Sequence, residues 1–194
     1  MKKIVVFMAH PRKESFCHAL CNSYVQGAKD AGNEVRTIEL RDLSSLENFL
    51  RCEYKEKIEL PEDLKNIQSL ISWADYLVFV YPIWWATPPA LLKVFFESVF
   101  QSGFAFSYKK SKGIIPRWDK LLKGKTAQLF TTMDSPSWYY WWFVGDPSYK
   151  MMKGTLGFCG IQPIYKNYFG SVLSASSKKK ELWLQKVYLI GLNK

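Results

Sequence analysis

Two tryptophans after an apolar segment are the residues whose position best suits ligand binding. Residues 77–82 show no polar alternation, which is typical of a parallel strand covered by helices on both faces. Pro82 stops the strand pairing, and Trp84 and Trp85 follow. Ligands of open parallel sheets bind beyond the carboxyl ends of the strands, so large indoles there favour a pocket for a planar conjugated ring such as a flavin. Simple packing of the indoles in the core is the alternative interpretation.

A second candidate site is the loop of residues 10–17, between the first predicted strand and the first helix. The free amides and the dipole at a helix start favour a bound anion such as phosphate. The loop contains neither GxxxxGK[ST] nor GxGxxG, which argues against a nucleotide-hydrolysing P-loop and a dinucleotide-binding Rossmann motif. Ser15 is also a favourable helix N-cap, and the two roles can coexist. For His10, the alternative role is a loop imidazole bonded to the backbone.

The elements that must position these loops alternate between strand and helix. Apolar patterns predict strands over residues 4–9, 34–40, 77–82, 126–131 and 164–169. Helical spacing predicts helices over residues 15–31, 61–73, from about 89, over 151–158, and near the end of the chain. A surface excursion before residue 60 and a loop through Phe104 and Tyr108 are expected between them. The order predicts an α/β fold, a doubly wound five-stranded parallel sheet with helices on both faces, in a single domain over residues 1–194.

The charge of the chain favours anionic ligands. It has 27 basic and 17 acidic residues and a formal net charge of +10. The lysines concentrated at residues 109–112 and 178–180 lie beside predicted turns and lack interleaved stacking aromatics. They therefore indicate solvated loops, and no nucleic-acid partner is predicted. The charge also argues against a small acidic electron carrier.

The cysteines and the start of the chain predict a reducing, cytoplasmic location. Cys17, Cys21, Cys52 and Cys159 form no CxxC pair, and Met1 leads into a short strand without a signal peptide. No apolar run approaches the roughly 20 residues that span a bilayer, so no membrane insertion is expected. Only Cys17 and Cys21 share a helix face, so no metal site is predicted.

A serine hydrolase is not expected either. The chain lacks a G-x-S-x-G elbow, and with only two histidines it offers no plausible partner for a nucleophilic serine.

Three separated motifs resemble the flavodoxin-fold NAD(P)H quinone reductases related to DT-diaphorase, a family with modulator-of-drug-activity and potassium-efflux ancillary relatives. The first is the strand that ends in His10, with Ser15 and Phe16 after it. The second is the sequence at residues 81–85 with the helix after Pro89. The third is Thr131-Thr132 with Tyr139 further on. The resemblance covers nearly the whole chain and implies the flavodoxin-like form of the fold.

The resemblance implies a bound FMN, with FAD as the alternative, and NAD(P)H as co-substrate. Hydride would pass from the nicotinamide through the flavin to a quinone or similar flat acceptor with ping-pong kinetics, and Tyr139 would act at the substrate side. The residues implied to hold the cofactor are His10, Ser15, Phe16, Cys17, Pro82, Ile83, Trp84, Trp85, Ala86, Thr131, Thr132, Met133 and Asp134.

The chain departs from the family pattern at two places. Met133-Asp134 stands where the family commonly has two glycines, which predicts a differently shaped approach of backbone amides to the flavin. The histidine that partners the family's tyrosine has no counterpart near Gly145. Tyr139 is therefore expected to act alone as a hydrogen-bond donor, while the flavin carries out the redox chemistry.

Residues 138–143, all aromatic, show neither a one-faced helical pattern nor a strand pattern. We call them the aromatic block. Exposed aromatics mark binding surfaces, and the resemblance implies an active site between two subunits, so a homodimer is predicted. A lid over the protein's own pocket is the alternative. The alternatives for function are a flavin-bound regulatory subunit with a membrane transporter as partner, a single-electron carrier, and an azo or nitro reductase.

Overall fold

Five parallel strands form the centre of the protein. The computed structural model describes residues 1–46, 60–110 and 117–194, so Cys52 and part of the lysine-rich stretch at 109–112 lie outside the described residues. The strands of the sheet are β1 (Lys3–Met8), β2 (Glu34–Glu39), β3 (Tyr76–Pro82), β6 (Thr126–Thr132) and β7 (Ile164–Phe169). Their order across the sheet is β2-β1-β3-β6-β7, and all neighbours are parallel. The predicted flavodoxin-like α/β sheet is confirmed.

Helices follow the strands and cover the sheet. They are α1 (Phe16–Asp30), α2 (Glu62–Trp73), α3 (Ala90–Val99), α4 (Pro147–Cys159) and α5 (Ser177–Leu192). A 3₁₀ turn, Leu40–Asp42, follows β2. A short helix, Ser137–Tyr139, follows β6 and continues as a π-helical turn, Tyr140–Val144. Every residue of β3 is buried, as its unbroken apolar sequence predicts for a strand with helices on both faces. The carboxyl ends of β1, β3 and β6 consequently meet at one edge of the sheet.

Two apolar clusters form the core, one on each face of the sheet. One contains Phe7, Phe79 and Phe95 from β1, β3 and α3. The other contains Tyr24 and Phe130 and lies under α1 and α5. Side chains of one strand alternate between the two clusters, because successive residues of a strand point to opposite faces.

The sequence-based prediction was wrong at one connection. Residues 104–108 were expected to form a loop, but β4 (Phe106–Lys109) pairs antiparallel with β5 (Arg117–Lys120) in a separate two-stranded sheet. This hairpin depends on tertiary contacts, since the Trp118 ring stacks on Phe158 of α4 with their centroids 4.5 Å apart. Helix α4 also begins at Pro147, four residues before the predicted start, because proline is well accommodated in the first helical turn.

Two glycines set the distance between α1 and α5. A Cβ atom on Gly27 would lie 2.1 Å from the Tyr188 carbonyl oxygen, and one on Gly191 would lie 2.4 Å from that of Tyr24. Only hydrogen fits at either position, so the backbones of the two helices touch. None of the helices in the described ranges is long and apolar enough to cross a membrane.

Candidate functional site

A cleft of about 440 Å³ opens at the carboxyl ends of β1, β3 and β6. This is the edge at which open parallel sheets bind their ligands. Three segments that are distant in the sequence form its walls: the β1–α1 loop, the loop after β3 and the loop after β6. The residues implied by the resemblance that line the cleft are His10, Ser15, Phe16, Cys17, Pro82, Ile83, Trp84, Thr132, Met133 and Asp134.

Three further residues line the cleft without having been singled out from the sequence: Arg12, Val172 and Leu173. Arg12 lies within the loop predicted to bind an anion, so its charge was a signal that could have identified it. Val172 and Leu173 follow β7, and only the sheet order, which puts β7 beside β6, brings them to this edge. Leu173 is 82% exposed and extends the apolar wall toward solvent.

Ser15 occupies the N-cap position of α1, but its side chain does not cap the helix. Its Oγ lies 3.0 Å from Nδ1 of His18, and Nε2 of His18 lies 3.0 Å from Oε2 of Glu39. The expectation that no histidine could partner a serine is therefore wrong. Glu39 reaches this position because β2 pairs with β1 in a register that aligns Glu39 with Met8, at the edge where α1 begins.

His10 is a neutral donor that faces the cleft. Its Nδ1 accepts a hydrogen bond from the Arg12 backbone amide at 3.0 Å. Burial lowers the pKa of His10, and the charges of Arg12 and His18 lower it further. A neutral imidazole whose Nδ1 accepts carries its proton on Nε2, and that proton is available to an anion. The ring also packs edge-on against Trp84, with centroids 5.4 Å apart.

Cys17 contributes a packing surface rather than a nucleophile. The side chain is 1% exposed, and Sγ lies 3.1 Å from Oγ1 of Thr132. Burial raises the pKa of the thiol to about 12, although the contact with Thr132 acts in the opposite direction. A thiol in this state is protonated near neutral pH and unreactive.

The loop after β3 is a tight turn in an unfavourable backbone conformation. Trp84 and Thr87 exchange two backbone hydrogen bonds, at 2.9 and 3.0 Å. Between them, Trp85 has a φ of 50° and Ala86 a φ of 64°. Left-handed geometry costs a residue with a Cβ atom roughly 1–2 kcal/mol, so this turn needs support from its surroundings. The geometry turns Trp85 away from the cleft, and its side chain is 99% exposed.

Tyr140 provides that support. Its hydroxyl donates to the Ala86 carbonyl oxygen at 2.7 Å and accepts from the Ser148 amide at 3.0 Å. Burial raises the pKa of Tyr140 to about 12, which keeps the donating proton in place. Ser148 also contacts the buried Tyr81 hydroxyl, 3.1 Å away. The sequence did not single out Tyr140, because nothing in the aromatic block distinguishes it from its neighbours.

The loop after β6 is held from behind by the loop after β7. The Met133 amide donates to the Phe169 carbonyl oxygen, so it is not free to approach a ligand. A Cβ atom on Gly170 would lie 2.6 Å from both the amide and Oγ of Ser137, so the close approach of the two loops requires glycine. Thr131 lies beneath the cleft rather than in its wall, and its Oγ1 donates to the Asn167 carbonyl oxygen at 3.4 Å.

Tyr139 lies outside the lining of the cleft. Its ring stacks on Phe143 with centroids 5.4 Å apart, and 45% of the residue is exposed. Apart from the buried Tyr140, the aromatic block is solvent-exposed, and Trp142 reaches 81%. The π-helical turn explains the irregular sequence pattern, because it presents successive rings at angles that neither a regular helix nor a strand would give.

Known proteins are similar to this chain along most of its length. An uncharacterized NAD(P)H oxidoreductase of Haemophilus influenzae is 29% identical over 95% of this chain and 91% of its own length. NAD(P)H dehydrogenase (quinone) 1 of Cavia porcellus is 30% identical over 84% of this chain, which spans only 66% of that enzyme. A crystal structure of a Streptococcus mutans protein superposes with a TM-score of 0.82 at 29% identity, over 98% of this chain and 99% of the other.

More distant structures share the fold alone. An FMN-dependent NADH-azoreductase of Bacillus anthracis, solved with FMN, has a TM-score of 0.70 at 16% identity, over 100% of this chain and 99% of its own. The family model described as the flavodoxin-like fold matches residues 2–187. Because this match covers nearly the whole chain, the protein belongs to that flavodoxin-like family, and NAD(P)H quinone oxidoreductases are among its relatives.

Proposed function

We propose that the protein is an NAD(P)H-dependent flavin oxidoreductase that holds FMN in the cleft and reduces quinones or similar flat acceptors. The observation that carries the proposal is the convergence, in one cleft, of an anion-binding helix start and an aromatic wall. Quinone dehydrogenases among the relatives and FMN in an azoreductase of the same fold support it.

The donors and the shape of the cleft fit a phosphorylated flavin. At one end, His10, Arg12 and Ser15 line the cleft where α1 begins, and an imidazole N–H, a guanidinium and a hydroxyl suit a phosphate. Along the wall, Ile83 and Trp84 offer flat apolar contact to a ring system. The volume of about 440 Å³ lies within the usual range for cofactor sites, roughly 300–1,000 Å³.

The protein's own residues would bind, orient and exclude water. Trp84 and Leu173 contribute apolar surface to the cleft. The formal charge of +10 attracts the anionic nicotinamide nucleotide. Tyr139 is proposed to donate its hydroxyl proton to the oxygen of the acceptor, where negative charge develops. Asp134 places a carboxylate at the cleft that disfavours additional negative charge nearby. When bound, FMN would supply hydride acceptance from NAD(P)H and hydride delivery to the acceptor, with ping-pong kinetics.

A homodimer is part of the proposal. Trp85, Trp142 and Phe143 expose 99, 81 and 71% of their surface, and the Tyr140–Ala86 hydrogen bond ties the aromatic block to the turn that carries Trp85. Exposed aromatic surface of this kind marks an interface, and a second copy placed there would complete the substrate side near Tyr139. Sedimentation equilibrium is expected to give twice the chain mass. A monomer at all accessible concentrations would favour the block acting as a lid.

The decisive experiment is reconstitution with flavin. The protein is incubated with FMN or FAD, freed of unbound flavin, and its visible spectrum is recorded before and after NADH or NADPH is added without air. We expect retained FMN that is bleached by the nicotinamide and reoxidised by menadione. Retained flavin that no nicotinamide reduces would support a carrier or regulatory role, and the absence of retained flavin would refute the cofactor assignment.

A pair of tryptophan variants tests the location. Trp84→Leu removes a wall of the cleft and should weaken FMN binding by about tenfold, the order expected for one ring contact. Trp73→Leu is the matched control, because Trp73 ends the helix that precedes β3, at the opposite edge of the sheet, and does not line the cleft. Equal FMN affinity in the two variants would place the flavin elsewhere.

A further inference from the structure

Three side chains, two at the start of α1 and one at the end of β2, form a chain of contacts behind the cleft. Ser15 Oγ lies 3.0 Å from Nδ1 of His18, and Nε2 of His18 lies 3.0 Å from Oε2 of Glu39. Ser15 is only 7% exposed and lines the cleft. The side chains of His18 and Glu39 are 18 and 32% exposed and do not line it. A titratable pair therefore contacts the hydroxyl of a residue that lines the cleft, without lining the cleft itself.

The protonation of His18 determines what the Ser15 hydroxyl offers to the cleft. Glu39 is an acceptor when ionised, so Nε2 of His18 carries a proton in either charge state. If Nδ1 is also protonated, it donates to Ser15 Oγ, and the serine keeps its own proton for a ligand. If Nδ1 is bare, the serine donates to it and presents only lone pairs to the cleft. Lone pairs repel a phosphate, and a hydroxyl proton binds it.

We propose that His18 and Glu39 are positioning residues that make phosphate binding by Ser15 depend on the protonation of His18. This inference rests on the proposed function, since it concerns the phosphate end of the same cleft. We expect the cleft to bind a phosphorylated flavin more tightly when both ring nitrogens of His18 carry a proton, because the serine hydroxyl is then free to donate to the phosphate.

The charged groups around His18 define what else acts on it. Glu39 of β2 contacts it directly, with Oε2 3.0 Å from Nε2. His10, at the end of β1, interacts with it electrostatically. Cys21, one turn further along α1, is buried with its pKa raised to about 12, so it remains a neutral thiol. Arg41 of the 3₁₀ turn is bound to the Pro11 carbonyl oxygen and paired with Asp42.

The test measures the affinity of the apoprotein for FMN at about pH 6 and about pH 8.5, by quenching of flavin fluorescence. His18→Asn removes the titrating group and retains an amide that can bond to Ser15. Ser15→Ala leaves His18 in place and removes the hydroxyl that transmits its state. The phosphate of FMN also titrates, but this contribution is common to all variants, so each affinity is taken relative to wild type at the same pH.

We expect wild type to bind FMN about tenfold more tightly, relative to Ser15→Ala, at the lower pH, and to lose most of that advantage at the higher pH. His18→Asn should give a ratio to Ser15→Ala that does not change with pH. Glu39→Gln should change the pH dependence that wild type shows, because Nε2 of His18 then faces an amide instead of a carboxylate. Riboflavin, which lacks the phosphate, should show none of these differences.

Two results would overturn the proposal. One is a pH-dependent ratio of FMN affinity between wild type and His18→Asn that is equally large when both proteins also carry Ser15→Ala. The charge of His18 would then act on the phosphate directly and not through the serine. The other is a ratio of FMN affinity between wild type and Ser15→Ala that is the same at both pH values. His18 and Glu39 would then only connect α1 to β2. If wild type binds neither FMN nor riboflavin, the proposed function fails. If wild type binds FMN but the variants show either of the two results above, only the role of His18 and Glu39 fails.

Discussion

Replacing Tyr140 by phenylalanine removes one oxygen atom that connects two elements beside the cleft. The Ser148 amide is buried in the first turn of α4, where the helix itself provides no acceptor, so losing its partner costs about 1–3 kcal/mol. The Ala86 carbonyl is only partly buried, so water replaces the second bond at a cost of about 0.5–1 kcal/mol. We expect Tyr140→Phe to lower the free energy of unfolding by about 2–3 kcal/mol, or about 5–10 °C in Tm for a chain of this size.

The assay is urea unfolding followed by far-ultraviolet circular dichroism. Tyr139→Phe is the matched control, because it is the same chemical change one residue away on an exposed side chain, and it should cost less than about 0.5 kcal/mol. An unchanged m-value would show that both variants unfold like wild type. If the two variants have the same stability, the hydroxyl of Tyr140 does not anchor the turn at Ala86, and the argument for its role is refuted.

Two further predictions concern packing and pH. Gly27→Ala forces apart the touching backbones of α1 and α5 and should destabilise the protein by about 3 kcal/mol. Gly154→Ala is the control, because its Cβ position on α4 is open, and it should stabilise the protein by up to about 1 kcal/mol. Comparable thermal midpoints for the two variants would contradict the close helix contact. Folding lowers the pKa of His10, so the folded protein binds fewer protons than the unfolded chain, and its free energy of unfolding falls as the pH drops below about 6.5. His10→Asn should remove that pH-dependent loss of stability. A stability difference between this variant and wild type that is constant from about pH 5 to pH 8 would show that the imidazole does not titrate in this way.

Local sequence was sufficient for the sheet and for two walls of the cleft. An unbroken apolar strand such as β3 requires cover on both faces, which already implies a parallel sheet with helices on either side. The carboxyl ends of neighbouring parallel strands share an edge, so the loops that begin at His10 and at Ile83 had to converge there. These conclusions follow from the periodicity of strands and helices, which is a local property.

The sequence could not show which side chains meet across elements. The contact between His18 and Glu39 depends on the register of β2 against β1. The hydrogen bond between Tyr140 and Ala86 depends on the orientation of the π-helical turn. Trp85 belongs to the same motif as Trp84, yet two left-handed residues turn it away from the cleft. The sequence by itself determined the doubly wound α/β class and the edge of the sheet at which the cleft opens, because both follow from apolar periodicity. Only the tertiary structure decided which hydroxyl contacts which imidazole or carbonyl, because hydrogen bonds depend on positions to within a fraction of an ångström.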